Sequence, residues 1–283
     1  FPTQQERMLM AQTMSNPAMI AMVGPGYGLD NYTVGAMMAH EMLLFTALAV
    51  AIMSIFLVVR HTRGDEERGR LELIRSLPVG RLSNLSATVT VSVVVNIILS
   101  LIIGFGLYAL GIESMGLNGS LLYGAALGSV GILFTAVTAV FSQLSQSSRG
   151  AIGYSFAFLG ICYLVRAVGD VGNEILSLIS PLGLVLRSEV YVNNIWWPVF
   201  VVLGEAVAII LVAYYLNFKR DLQAGLIQPR PGRKDASPFL RSPFSLALRL
   251  MRSAIIAWSV GMLVLGMSYG SVLGDLEAFF ESN

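Results

Sequence analysis

Residues 42–81 read MLLFTALAVAIMSIFLVVRHTRGDEERGRLELIRSLPVGR, and the change of character at position 60 decides the fold. Met42 to Val59 carries no charge, whereas the next 22 residues hold six arginines and four acids. A helix rises 1.5 Å per residue, so about 20 residues cross the ~30 Å hydrocarbon layer of a bilayer. With a few residues added on its N-terminal side the apolar run is long enough to span, and the charges at 60–81 mark where it leaves lipid.

Outward from this stretch the pattern repeats. There is no charge between Leu82 and Ile112, between Ser114 and Ser148, from Gly150 to Val165 or from Ser253 to Gly274, and Asn194 to Phe218 is interrupted only by Glu205. With 55% hydrophobic residues, 12% charged residues and a mean hydropathy of +0.71, the 283-residue chain is far from a soluble domain. Six spanning helices are predicted, at 36–60, 85–111, 119–145, 150–168, 193–217 and 252–274. The fold class is an all-α, polytopic integral membrane protein.

Charge fixes the orientation. Fifteen of the eighteen Lys and Arg residues fall in three gaps on one side. Arg60, Arg63, Arg68, Arg70, Arg75 and Arg81 follow the first span, Arg149 the third, and Lys219, Arg220, Arg230, Arg233, Lys234, Arg241, Arg249 and Arg252 the fifth. The alternate gaps hold only Arg7, Arg166 and Arg187. Positive residues stay in the cytoplasm, so residues 1–35 are expected outside a bacterial plasma membrane, with 60–84 and 219–250 inside. The net charge of +1 conceals this asymmetry and does not point to nucleic acid. A chain that starts at Phe1, outside, with no apolar signal core, is expected to lack a preceding helix and to be part of a larger protein.

Between the spans, residues 1–35 carry the breakers Pro2, Asn16-Pro17 and Gly24-Pro25-Gly26 and read as an outer loop with one short helix near Gln4 to Met14. Residues 173–191, broken by Pro181, Gly183, Arg187 and Glu189, read as two outer half-helices covered by protein. Trp196-Trp197 marks an interface. Residues 219–243, with Pro229, Pro231, Pro238 and Pro243, read as a cytoplasmic linker, and 244–283 as an elbow and a further helix.

Within 60–81, Asp65, Glu66 and Glu67 suit a helix N-terminus, Pro78 stops the helix near Leu77, and Glu66 with Arg70 and Arg68 with Glu72 are i,i+4 pairs. Leu71, Ile74 and Leu77 make an apolar stripe. The result is an amphipathic helix that either rests on lipid headgroups or docks a soluble partner; three acids against an anionic leaflet favour docking.

Arg60-His61-Thr62-Arg63, the paired acids, Gly69-Arg70, the Leu71-Glu72-Leu73-Ile74 stretch and the closing Val79-Gly80-Arg81 resemble the cytoplasmic segment of ABC-2 type permeases of the polyketide-antibiotic exporter family, its tetronasin-exporter branch in particular. Gly24-Pro25, Ser180-Pro181-Leu182-Gly183 and Ser242-Pro243 before the helix at Trp258 are similar as well. The resemblance implies a type V exporter-like permease of two six-helix halves, of which this chain holds most of the first and the opening helix of the second. It also implies a separate ATPase subunit in two copies, holding the ATP and Mg. The coupling surface would be Asp65, Glu66, Glu67, Arg68, Gly69, Arg70, Leu71, Glu72, Leu73, Ile74, Leu77, Pro78 and Arg81. The implied cargo is a hydrophobic, polyketide-like antibiotic.

The chain has no Gly-x-x-x-x-Gly-Lys-Ser/Thr, so ATP cleavage is expected in the partner and not here. His40 and His61 fall on opposite sides and Cys162 is alone, so neither a metal site nor a disulfide is expected. Glu205 lies near mid-span, where it is either a polar point on a substrate or cation path or a carboxyl bonded to a neighbouring helix. Arg166 matches Glu41 in height, which predicts an outer ion pair or snorkelling of Arg166. Asn96 is a weaker candidate for the path and a stronger one for interhelical glue. Gly124-x-x-x-Gly128 and Gly266-x-x-x-Gly270-x-x-x-Gly274 allow close helix approach, within the bundle or between copies. Two rivals to an exporter subunit remain: an ion-coupled transporter using Glu205, and a membrane scaffold or sensor that docks a partner on the amphipathic helix.

Overall fold

A computed structural model of the chain describes residues 3–220, 225–227 and 242–281; within these, the side chains of Ile74 and Arg75 and of residues 264–265 and 267–281 are outside the description. It divides into two units, Phe1–Gln228 and Pro229–Asn283. Among the described residues every regular element is helical, and six helices are long and apolar enough to cross a membrane.

The first unit begins with α1 (Gln4–Met14), started by a reciprocal cap in which Thr3 and Glu6 bond each other's backbone N–H groups. α2 (Pro17–Val23) comes next, where only loop is predicted. Asn16-Pro17 is a start rather than a break: the Asn16 side chain caps Ala18 N at 2.8 Å and Pro17 occupies the first helical position. A 3₁₀ turn at Leu29–Asn31 leads into α3 (Val34–His61), capped by Thr33. Two short helices, α4 (Arg63–Glu67) and α5 (Arg70–Arg75), precede α6 (Ser83–Ala109), α7 (Leu117–Leu144) and α8 (Ser148–Gly172). Then come α9 (Glu174–Ile179), α10 (Pro181–Leu186) and α11 (Trp197–Lys219). The five long helices agree with the predicted spans to within a few residues at each end.

α7 is the centre of this unit. Of its most apolar stretch 78% is buried, against 22% in α6 and in α11. Lipid tails are as apolar as leucine, so helices gather by close packing and polar contacts, and α7 is built of small residues. A Cβ added at Gly124 would lie 2.1 Å from the Ser100 carbonyl oxygen of α6, and one at Gly128 would lie 3.0 Å from Ser100 Cβ. The Gly124/Gly128 pair therefore serves packing within the bundle. Beside it, Asn96 is fully buried and bonds Ser54 Oγ of α3 and the Ser92 carbonyl at 3.1 and 2.9 Å, in space that Gly131 leaves open.

α9 and α10 are the expected half-helices, and every residue of α10 is buried. After them, Glu189, Tyr191 and Asn194 adopt left-handed backbone, and Asn194 Oδ1 accepts from Tyr191 N at 2.9 Å. This turn packs the Tyr191 ring against Gly119 of α7, where a Cβ would collide with it at 2.5 Å, and close to Gly35 of α3, where a Cβ would lie 3.1 Å from it and 2.7 Å from the Ser114 carbonyl oxygen.

The second unit contains α12 (Pro243–Glu281). The expected elbow and span are one continuous helix starting nine residues before the predicted position, because Ser242-Pro243 is a cap followed by a first-turn proline: Ser245 N donates to Ser242 Oγ at 3.2 Å. The predicted linker, apart from residues 219, 220, 225–227, 242 and 243, and the surroundings of Gly270 and Gly274 lie outside the described residues.

Candidate functional site

The stretches 60–81, 142–148 and 219–227, as far as they are described, meet at one end of the first unit. α3 ends at Thr62, whose hydroxyl donates to the Val58 carbonyl at 2.7 Å, and α4 turns away from it. Arg63, 1% exposed, donates through Nε to the Ser142 carbonyl at the end of α7 and through Nη1 to Glu66 at 3.0 Å. Glu66, 8% exposed, also accepts from Arg220, the residue after α11, at 2.8 and 2.7 Å. Arg220 donates in turn to the Ser142 carbonyl at 3.2 Å. Glu67 accepts from both the N–H and the hydroxyl of Ser148, each at 2.7 Å, at the start of α8, where a carboxylate meets the unpaired N–H groups of a helix. Three successive struts thus tie one short segment to α7, α11 and α8. Beyond α11, Leu226 N and Ile227 N bond the Gln143 and Leu144 carbonyls, closing the same end.

The single amphipathic helix predicted over 65–77 is two helices. Gly69 has φ of 71°, a left-handed conformation that ends α4 and costs residues with a Cβ roughly 1 kcal/mol. Among the described residues the ion pairs at this end are not the predicted i,i+4 ones. Glu66 faces Arg63 and Arg220 instead of Arg70; Arg70 and Arg68 turn to Asp65 at 3.1 and 4.0 Å, and His61 Nδ1 lies 3.6 Å from the same carboxylate. The predicted stripe divides too: Leu71 is 5% exposed and anchors α5, while Leu77 is 60% exposed and the nearby Leu73 74%; the Ile74 side chain is outside the description. Arg81 donates to the Arg220 carbonyl at 2.5 Å and lies over the Phe218 ring, and Pro78 is exposed. A polar cleft of about 520 Å³ opens between α4–α5 and Gln146, lined by Glu67, Arg68 and Glu72 among others.

At the other end, Arg166 does not pair with Glu41. It is wholly buried in α8 and meets Asp170, one turn on, at 3.1 Å, while its Nη2 donates to the Ala21 carbonyl of α2 at 2.7 Å. Matching height does not make a pair; helical phase sets Asp170 at i+4 on the same face as Arg166. Asp170 also accepts from Ser177 of α9 at 2.5 Å, so this pair joins α2, α8 and α9. Glu41 has one buried oxygen without a partner. Nearby, His40 Nε2 donates to the Gly24 carbonyl at 3.2 Å and Nδ1 accepts from Tyr32 Oη at 2.9 Å. Burial pushes the phenols of Tyr27 and Tyr32 well above the usual tyrosine range, which keeps Tyr32 a donor.

Midway along the bundle, Glu205 lies eight residues after Trp197, about 12 Å down α11. It is half-buried on the wall of a cavity of about 390 Å³ and has no hydrogen-bond or ion-pair partner among the described residues. An ionised carboxyl at such a depth costs about 3 kcal/mol against lipid. No group of three His, Cys, Asp or Glu suited to a metal ion exists among the described residues.

The chain matches the family described as multidrug efflux system permease Rv1217c, C-terminal domain, over residues 5–218 and 240–283. It is 40% identical over 275 residues to the multidrug efflux system permease protein Rv1217c of Mycobacterium tuberculosis (strain ATCC 25618 / H37Rv), covering 96% of this chain and 49% of that protein. The chain spans about half the length of the curated relative it matches.

Proposed function

The chain belongs to the family of the multidrug efflux system permease Rv1217c, and we propose that it is part of the membrane subunit of an exporter driven by a separate ATPase. That ATPase, present in two copies that carry the ATP and Mg, has one copy docked on the exposed face of residues 65–81: Arg68, Arg70, Glu72, Leu73 and Leu77. The buried members of the segment, Glu66 above all, are struts rather than docking residues. The observation that carries this reading is the triple attachment of α4: Arg63 to the end of α7, Glu67 to the start of α8 and Glu66 to the end of α11. A push on the exposed face reaches α4 across the Gly69 turn, and α4 passes it to three spanning helices at once. The cargo is a hydrophobic or amphiphilic compound, a class to which polyketide-like antibiotics belong. Export of a fluorescent drug from cells producing the intact permease and its ATPase tests the reading: Glu67→Ala and Arg63→Ala leave ATPase binding in place and uncouple hydrolysis from transport. Unchanged export in both variants contradicts it.

A further inference from the structure

The cavity beside Glu205 lies between α7, α8, α10 and α11, with Leu133, Phe158, Cys162, Pro181 and Ile209 among its walls. Among the described residues Glu205 is the one charged side chain lining it. The Ser180 hydroxyl, the other polar group, is already committed to the Cys162 carbonyl at 2.7 Å. Ile161 and Ile179 at its rim are 58% and 67% exposed, so the mouth opens on the apolar flank of the bundle and not at its basic end. At about 390 Å³ it falls in the size range of drug-sized ligand sites, which are mostly apolar with a few oriented polar groups.

We propose that this cavity binds amphiphilic monocations: molecules with a bulky apolar body and one ammonium- or phosphonium-type charge, entering from the bilayer. Glu205 supplies the single counter-charge, and the apolar walls take the body. A neutral ligand leaves the carboxyl without a partner, and an anion of the same shape meets like charge, so one side chain discriminates by sign. The proposal narrows the cargo class of the exporter reading and rests on that reading for the transport step after binding, but not for binding itself. Among polyketide-like cargoes it disfavours those that carry a free carboxylate.

Tetraphenylphosphonium and tetraphenylborate have the same shape and opposite charge, and their binding to the intact permease in lipid nanodiscs, without ATPase or nucleotide and corrected for empty discs, tests the site. Tetraphenylphosphonium is expected to bind and tetraphenylborate not; Glu205→Gln is expected to weaken the cation roughly tenfold or more, the scale of one lost charge-assisted contact. Glu205→Asp, which keeps the charge, retains most of the binding and controls for folding. Ala208→Trp, placed in the wall at the exposed mouth, blocks the cation without touching the carboxyl. Cation affinity within about twofold of wild type in Glu205→Gln, a preference for the borate, or no binding of either ion because another part of the permease fills the cavity, each overturns the proposal. ATPase association does not enter this measurement, so the exporter reading and the cation site can fail separately.

Discussion

Glu66 and Arg220 are 154 residues apart in sequence and form a two-oxygen pair at 2.7 and 2.8 Å, with both side chains more than nine-tenths buried. A second guanidinium, Arg63, shares the same carboxylate. The cluster is held at the basic end of the bundle, where a helix leaving the membrane, a short helix beside it and the end of α11 converge.

Loss of Glu66 should therefore cost more than loss of either arginine. Removing one partner of a buried pair costs about 3–5 kcal/mol; Glu66→Gln takes the shared carboxylate from both Arg63 and Arg220, whereas Arg220→Gln leaves Glu66 bonded to Arg63. Thermal melting of the purified permease should rank Glu66→Gln below Arg220→Gln. The double variant should be less destabilised than the sum of the two. Equal, additive losses would mean that the pair contributes little.

The outer pair gives a second comparison. Asp170→Asn should loosen α2, seen as faster thiol labelling of a cysteine placed at Ala21, because Arg166 then has no carboxylate to hold it against the Ala21 carbonyl. Glu41→Gln should leave that labelling unchanged, since Glu41 is not the partner of Arg166.

Packing at α7 is tested with glycines. Gly124→Ala puts a methyl 2.1 Å from the backbone oxygen of Ser100, which a side-chain rotation cannot relieve, and should destabilise by about 1–3 kcal/mol. Gly106→Ala in α6 meets nothing within 4 Å and should be neutral or slightly stabilising. Similar melting temperatures for the two would argue against α6 lying on α7 through Gly124.

The spans, and the meeting of Arg63, Arg81 and Arg220 at one end of the first unit, were legible because bilayer thickness and charge impose coarse constraints that need no tertiary detail. Asn96 read correctly as interhelical glue for the same reason, as an amide among Val and Ile must find a partner. The break at Gly69 has no signal in the pattern: periodicity favours one helix across 65–77, and the three struts of α4 show why the chain turns there. Asp170 stands four residues after Arg166, and helical phase, which height along the bundle does not contain, is what pairs them. Arg220 gave no local signal at all, as its partner arrives from the far side of four spanning helices.

The decisive experiment is co-purification of the ATPase with the intact permease after Arg68→Glu, Arg70→Glu and Leu73→Asp are combined on the exposed face of α4 and α5. Recovered ATPase should fall roughly tenfold or more, as when the centre of a docking surface is lost, while the exchange Glu174→Arg with Arg187→Glu at the opposite end leaves it in place. An ATPase that stays bound to the triple variant would show that residues 65–81 are not where the motor grips.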